Sequence, residues 1–278
     1  MIHLFHQASE DCSRVITKNY STSFSTAIRL LHKDLRAPIH NIYGFVRFAD
    51  EIVDTFHDQD KSFLLQQFKE ATYDALQRGI SLNPVLNSFQ RTVNQFDIDW
   101  KHVEDFFQSM ERDLSKKIYT QKEYAEYIYG SAETVGLMCL QVFCEGNREM
   151  FDQLSPAARA LGAAFQKVNF LRDIKADYNG LSRIYFPDCD LNNFTERQKK
   201  EIEEEIHRDF HTAYEGILKL PVKARFGVYV AYKYYFSLFK KIKKMKPARV
   251  LAERIRIPDY RKALIIVRAG VKNQLRLI

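Results

Sequence analysis

Glycine and proline are scarce in this chain, at 10 and 7 of 278 residues. Architectures built from short strands and tight turns need more of both, so the scarcity points to helices. The four cysteines, Cys12, Cys139, Cys144 and Cys189, form no C-x-x-C pair. That excludes the common zinc-ribbon and dithiol patterns and leaves free thiols in a reducing cytoplasm as the plain reading. Residues 1–16 lack the basic start and apolar run of a secretory signal. No stretch approaches the roughly 18 apolar residues of a membrane span. No internal repeat or low-complexity tract divides the chain.

Acidic residues are scarce in one region only. Between Lys219 and Ile278 there are 17 Lys and Arg against two acids, Glu253 and Asp259, whereas residues 1–218 hold 25 basic and 33 acidic side chains. A solvated basic face is one explanation. Contact with an anionic partner, either a diphosphate or an acidic membrane surface, is the other. Nucleic acid is the weakest partner, because no recognition motif accompanies the charge.

What the chain has in abundance is helical periodicity. It predicts helices over about 7–32, 39–56, 61–78, 84–95, 99–115, 121–144, 149–178, 195–218, 221–246 and 258–273. Pro38 is expected at the start of the second helix. Asn83-Pro84 and Ser155-Pro156 read as helix starts, and residues 178–187 as a loop. The short gaps predict one all-α domain over residues 1–278, a single helical bundle.

Two of these helices carry an unusual polar seam. In 39–54, Tyr43, Arg47, Asp50 and Asp54 fall on one narrow stripe, and Ile42, Phe45, Val46, Phe48, Ala49, Ile52 and Val53 fill most of the rest. In 157–178, Gly162, Gln166, Asn169, Asp173 and Asp177 align between apolar flanks. An ordinary surface helix is polar across a whole face. A helix apolar nearly all round cannot carry two carboxylates one turn apart without partners. Salt bridges would satisfy one such pair, since Arg47 precedes Asp50 by three residues and Arg172 adjoins Asp173. Two such pairs favour divalent cations. Magnesium, or manganese in its place, takes carboxylate oxygens together with substrate phosphates. Such ions neutralise the charge that develops on a leaving diphosphate.

Five segments, taken in order, resemble the squalene and phytoene synthases. These are Tyr20-Ser-Thr-Ser-Phe24, residues 42–54, residues 127–136, residues 162–177 with Arg183-Ile-Tyr-Phe-Pro187, and Ala252-Glu-Arg254 followed by Lys262. The resemblance implies an isoprenoid-synthase fold around a central cavity. It also implies head-to-head condensation of two prenyl diphosphates through a cyclopropylcarbinyl diphosphate. By the same resemblance, Asp50, Asp54, Asp173 and Asp177 bind metal, with Asn169 in the metal shell. Ser21, Ser23, Phe24, Arg47, Gln166, Arg172 and Arg254 hold substrate, and Tyr43, Tyr129 and Tyr229 line the site. Glu51 and Glu133 depart from the family's usual residues, Asp and Gly.

Family resemblance leaves phytoene, dehydrosqualene and squalene synthase open. Only the last would call for NADPH, and the missing G-x-G-x-x-G motif does not bear on it. Ile28, one turn beyond Phe24, is smaller than an aromatic ring and leaves room for a longer tail, which favours geranylgeranyl over farnesyl diphosphate. A non-catalytic assembly factor is a further alternative, disfavoured because all four aspartates are present. Basic and apolar residues mix at helical spacing in residues 236–246. That pattern suggests peripheral contact with an anionic membrane, on the inner face for a cytoplasmic protein.

Overall fold

The computed structural model describes all residues except 117, 177–182, 188, 190–193, 253 and 276–278. Thirteen α-helices are present among the described residues. They are α1 (Ile2–Tyr20), α2 (Thr22–Arg29), α3 (Lys33–Asp54), α4 (Lys61–Arg78), α5 (Pro84–Phe96), α6 (Trp100–Ser115), α7 (Gln121–Ile128), α8 (Thr134–Cys144), α9 (Arg148–Ala176), α10 (Glu196–Ile217), α11 (Val222–Lys243), α12 (Pro247–Val250) and α13 (Asp259–Gln274). The only strand-like pairing among them is an isolated parallel bridge between Ile118 and Ile184.

Local chemistry sets most boundaries. Asn83 accepts from the Val85 amide with Pro84 behind it, and Asp60 and Asp99 cap α4 and α6. Thr120 with Glu123 and Thr195 with Gln198 form capping boxes. Four expectations are corrected. The helix predicted over 7–32 breaks at Ser21, whose extended backbone and side chain cap α2 by accepting from the Phe24 amide at 3.2 Å. Pro38 lies inside α3, which starts at Lys33. Ser155-Pro156 lies within α9; the Ser155 hydroxyl donates to the Phe151 carbonyl at 2.7 Å. The helix predicted over 121–144 is interrupted by a π-turn at Tyr129–Glu133.

Two glycines let that π-turn form where it does. A Cβ on Gly130 would stand 2.3 Å from the Asp105 carbonyl oxygen of α6, and one on Gly162 of α9 would stand 2.4 Å from the Ala132 oxygen. Both contacts are shorter than any side chain tolerates, so the π-turn is wedged between α6 and α9. π-turns of this kind often mark functional sites.

The long helix α9 packs against α10, α8, the π-turn and α11, while α3 packs against α1, α5 and α8. Phe45 of α3 stacks on Phe89 at 3.9 Å and meets Phe106 and Phe107, forming the core behind the first seam. Behind the second, buried Lys167 donates to Asp209 at 2.7 Å and pairs with Glu205, tying α9 to α10. The two seams therefore sit on helices anchored from behind.

Candidate active site

A cavity of about 470 Å³ runs between α2, α3, α8, α9, α10 and α11. Its wall is polar in one part, with Tyr20, Ser21, Tyr43, Arg47, Asp50, Gln166, Asn169, Arg172 and Arg254. Elsewhere it is apolar, including Leu31, Ile39, Phe143, Leu154, Ile217 and Leu220. Between these classes comes a cluster of rings. Phe24 lies 5.8 Å from Tyr43, 5.9 Å from Phe165 and 5.6 Å from Tyr235, and Phe165 stacks on Tyr235 at 3.9 Å.

Both salt bridges anticipated from sequence are present. Arg47 donates to Asp50 at 3.3 Å and also to Glu51. Its guanidinium lies 4.4 Å above the Tyr20 ring. Arg172 donates from Nε to Asp173 at 3.0 Å. Arg254 donates from Nε to the same carboxylate at 2.8 Å. Of the three described motif aspartates, Asp50 borders the cavity; Asp173 is held by two arginines that border it. Asp177 lies outside the described residues.

Asp54 meets a residue that the seams did not indicate. Arg183 donates to Asp54 at 2.8 Å and to the Asp113 backbone carbonyl at 2.8 Å. The Asp113 carboxylate in turn accepts from Tyr119 at 2.7 Å and Tyr127 at 2.6 Å. Arg183 and Tyr185 belong to the Arg183–Pro187 segment of the family resemblance, so a signal existed for them. Asp113 is a lone carboxylate on α6 with no spacing partner, and nothing in the sequence marks it.

Three expected positions lie off this cavity wall. Tyr129 does not border the cavity. It faces a separate depression beside Asp105, Glu133 and Arg159, whose guanidinium lies 5.2 Å from its ring. Tyr229 is buried in a stack with Tyr232 and Tyr214, and the α11 residues on the cavity wall are Gly227, Val228, Ala231 and Tyr235. Ser23 is absent from the cavity wall, whereas Ser21 and Phe24 belong to it. The side chains of Gln166, Asn169 and Arg172 all border the cavity.

Electrostatics mark the polar end. Burial first, then the neighbouring Asp54 carboxylate, push Asp50 up to about 7 against the pull of Arg47. Burial, opposed by Arg183, Tyr127 and Tyr119, pushes Asp113 up to about 6. Burial also pushes the Tyr43 hydroxyl up to about 12, so it stays protonated and serves as a donor, not a base. The Asn169 Oδ1 atom is buried without a donor. An orphaned carbonyl oxygen near Asp173 and an under-compensated carboxylate at Asp50 are the oxygen donors that magnesium takes. Among the described residues, no three His, Cys, Asp or Glu side chains converge into a metal centre by themselves.

The squalene/phytoene synthase family model matches residues 17–261. The chain belongs to that family. A phytoene synthase from Arthrospira platensis is 28% identical over 292 residues, covering 96% of this chain and 94% of its own. The 4,4'-diapophytoene synthase of Staphylococcus haemolyticus is 28% identical over 196 residues, 70% of this chain and 66% of its own length. In structure, a dehydrosqualene synthase crystallised with a ligand superposes with a TM-score of 0.81 over 98% of both chains, at 21% identity. The all-α isoprenoid-synthase fold is thus shared. Members of the squalene/phytoene synthase family are divalent-metal-dependent prenyltransferases that join two prenyl diphosphates head to head. No helix among the described residues is long and apolar enough to cross a membrane.

Proposed function

We propose that this protein condenses two molecules of geranylgeranyl diphosphate head to head into phytoene, with the whole of residues 1–278 acting as one catalytic unit. The observation that carries the reading is the chemical gradient of the cavity: arginines and carboxylate, then rings, then an aliphatic lining. Asp50, Asp54, Asn169 and Asp173, with Asp177, would hold the magnesium ions. Bound there, magnesium supplies charge neutralisation for the departing diphosphate.

The chain's own residues do the rest. Arg47, Arg172 and Arg254 present forked donors that suit phosphate oxygens. Of their existing carboxylate contacts, that of Arg254 is the most exposed and the one a diphosphate exchanges most readily. Ser21 and Gln166 add neutral donors at the same end. Diphosphate loss leaves an allylic cation, which the faces of Phe24, Tyr43, Phe165 and Tyr235 stabilise without offering a strong nucleophile. The aliphatic wall excludes water that would quench the cation. Attack by the double bond of the second substrate, with loss of a proton, gives the cyclopropylcarbinyl diphosphate. A second ionisation releases the remaining diphosphate, and rearrangement of the resulting cation with loss of a second proton gives the linear hydrocarbon.

The preference for the longer substrate rests on the far end of the cavity. Ile28 and Leu31 follow Phe24 on the wall, so no second ring shortens the space along this helix. Gly216 and Gly227 also border it; a Cβ at either would lie 2.2 Å from the Ala157 Cβ or 2.5 Å from Leu31 Cδ2. Purified protein given magnesium and each diphosphate separately tests the reading. Phytoene from geranylgeranyl diphosphate is expected; a hydrocarbon from farnesyl diphosphate alone would overturn the substrate choice. NADPH would enter only for a squalene product. Because substrate and product are both lipids, the reading also places the enzyme at the surface of an anionic membrane, on its cytoplasmic face.

A further inference from the structure

The C-terminal helix α13 carries an apolar stripe that nothing in the described structure covers. Tyr260, Leu264, Val267, Val271 and Leu275 are 67%, 44%, 62%, 51% and 64% exposed. Their spacing of three and four residues puts them within an arc of about 80° at helical periodicity. The opposite side of α13 is the one that packs on α11, through Ile265, Ile266 and Ala269. The stripe is therefore not the core-facing side of an amphipathic helix. It is a second apolar face turned outward.

Its flank is basic. Arg268, Arg261 and Lys272 occupy roughly the next 40° of the helical wheel, and among the described residues none of them pairs with a carboxylate. The adjoining helix α11 adds to the charge. Lys233 and Lys240 both lie against the Phe236 ring, at 5.9 and 4.6 Å. Burial first, with like charge from Lys272 and Lys240 added, makes the Lys233 ammonium easier to deprotonate. A stripe of apolar side chains beside uncompensated lysines and arginines matches an anionic bilayer surface, where acyl chains meet acidic headgroups.

The sequence pattern suggests this contact at residues 236–246. Leu238, Phe239, Ile242 and Met245 of that stretch are buried in the core. A second copy of the chain is a poor occupant for the α13 stripe. Five partly exposed side chains on one helix offer a few hundred Å² at most, against the roughly 1,200–2,000 Å² of a stable interface.

The location of α13 gives the contact a purpose. Lys262, in its first turn, donates to the Thr22 hydroxyl at 3.0 Å, next to Ser21 on the cavity wall. Arg254, in the segment leading into α13, borders the cavity and grips Asp173. The outward face of α13 and the polar end of the cavity are thus joined by a few residues of chain.

We propose that the exposed face of α13, Tyr260, Leu264, Val267, Val271 and Leu275 with Arg261, Arg268 and Lys272, docks on anionic lipid and brings the cavity up to the bilayer. The purpose assigned here rests on the reading that substrate and product are prenyl lipids; the docking itself is measured without turnover. The full-length protein is sedimented with vesicles of phosphatidylcholine alone and of equal parts phosphatidylcholine and phosphatidylglycerol. Binding is expected to the mixed vesicles at low salt, and little to the neutral ones. Val267→Asp with Val271→Asp, and separately Arg268→Glu with Lys272→Glu, are each expected to weaken it by about tenfold or more. Both variants should keep the wild-type helical circular dichroism and turn over detergent-dispersed substrate at the wild-type rate. Failure of the wild type to bind the mixed vesicles would overturn the proposal, as would unaltered binding by both variants. A wild-type dimer that Val267→Asp dissociates would also overturn it, in favour of a second copy. A wild type that binds vesicles yet turns over no prenyl diphosphate would sink the enzymatic reading and leave the docking surface standing.

Discussion

Arg254 donates from Nε to Oδ1 of Asp173 at 2.8 Å, across 81 residues of sequence. Arg172 grips the same carboxylate from the adjacent position on α9. Arg254 is about half exposed, which suits the proposed transfer of its guanidinium onto a diphosphate. Replacing it with Ala should lower kcat/KM for the prenyl diphosphate by about 10- to 100-fold, the value of one charged hydrogen-bonding partner. Arg254→Lys should restore only part of that, because a point charge lacks the fork. Steady-state kinetics at saturating magnesium decides it, and full rescue by lysine would argue for charge alone.

Asp50→Asn should abolish magnesium-dependent turnover by about a hundredfold or more. Thermal stability should hold or rise. The folded-state pKa of Asp50 is raised to about 7 from 3.8. The folded protein therefore binds more protons than the unfolded one between those values, and the wild type loses stability as pH rises through that window. The amide removes that loss. Near-normal activity in Asp50→Asn would show that the seam is structural.

The two tyrosines of α11 should behave differently. Tyr235 borders the cavity and stacks on Phe165, so Tyr235→Ala should depress kcat strongly. The Tyr229 hydroxyl is buried without a partner. Tyr229→Phe should leave turnover unchanged and alter stability by no more than about 0.5 kcal/mol, or raise it. Parallel kcat and melting measurements separate the two, and equal kinetic losses would contradict the assignment of Tyr235.

Ile28→Phe should switch chain-length preference. If the substrate is geranylgeranyl diphosphate, a ring at this buried wall position takes up space its tail would need. Turnover with geranylgeranyl diphosphate should fall by about tenfold or more while farnesyl diphosphate is used as well or better, since rejection of a larger group is steric. Competition between the two diphosphates reads the ratio directly.

His40 makes stability sensitive to acid. It is buried in α3, its Nδ1 atom has no partner, and burial with nearby Arg14 and Lys18 pushes it down to about 4. The folded state thus binds fewer protons than the unfolded state between about 4 and 6.5. The stabilisation is complete above that window and is lost as pH falls through it, by about 3 kcal/mol at most. Denaturant midpoints across this range should drop in the wild type and stay flatter in His40→Leu.

The sequence was legible where periodicity and charge coincide. The seams of α3 and α9 stood out because carboxylates interrupt otherwise apolar helices, and the structure puts Asp50, Gln166 and Asn169 on one cavity wall. Ser21 was harder to read. It belongs to a recognised motif, but its capping role depends on one extended residue between two helices of similar pattern. The π-turn left no trace in a 3.6-residue repeat. Its additional residue per turn shifts the phase, so Ser131 and Ala132 face the cavity while Tyr129 faces away. On α11, buried nearly all round, aromatic residues at 229 and 235 look equivalent until the neighbours of each are known. Arg183 and Asp113 meet only through tertiary packing across 70 residues, which no local spacing encodes.

At the polar end each described motif aspartate has an arginine partner. Asp50 has Arg47, Asp54 has Arg183, and Asp173 has Arg172 and Arg254. A cation arriving alone meets carboxylates already engaged, and a diphosphate arriving alone meets engaged guanidiniums. Arriving together they permit an exchange of partners, guanidinium to phosphate and carboxylate to cation, with no charge left stranded. On the proposed reading the pocket resembles a logical conjunction, favouring metal and diphosphate taken together over either input by itself.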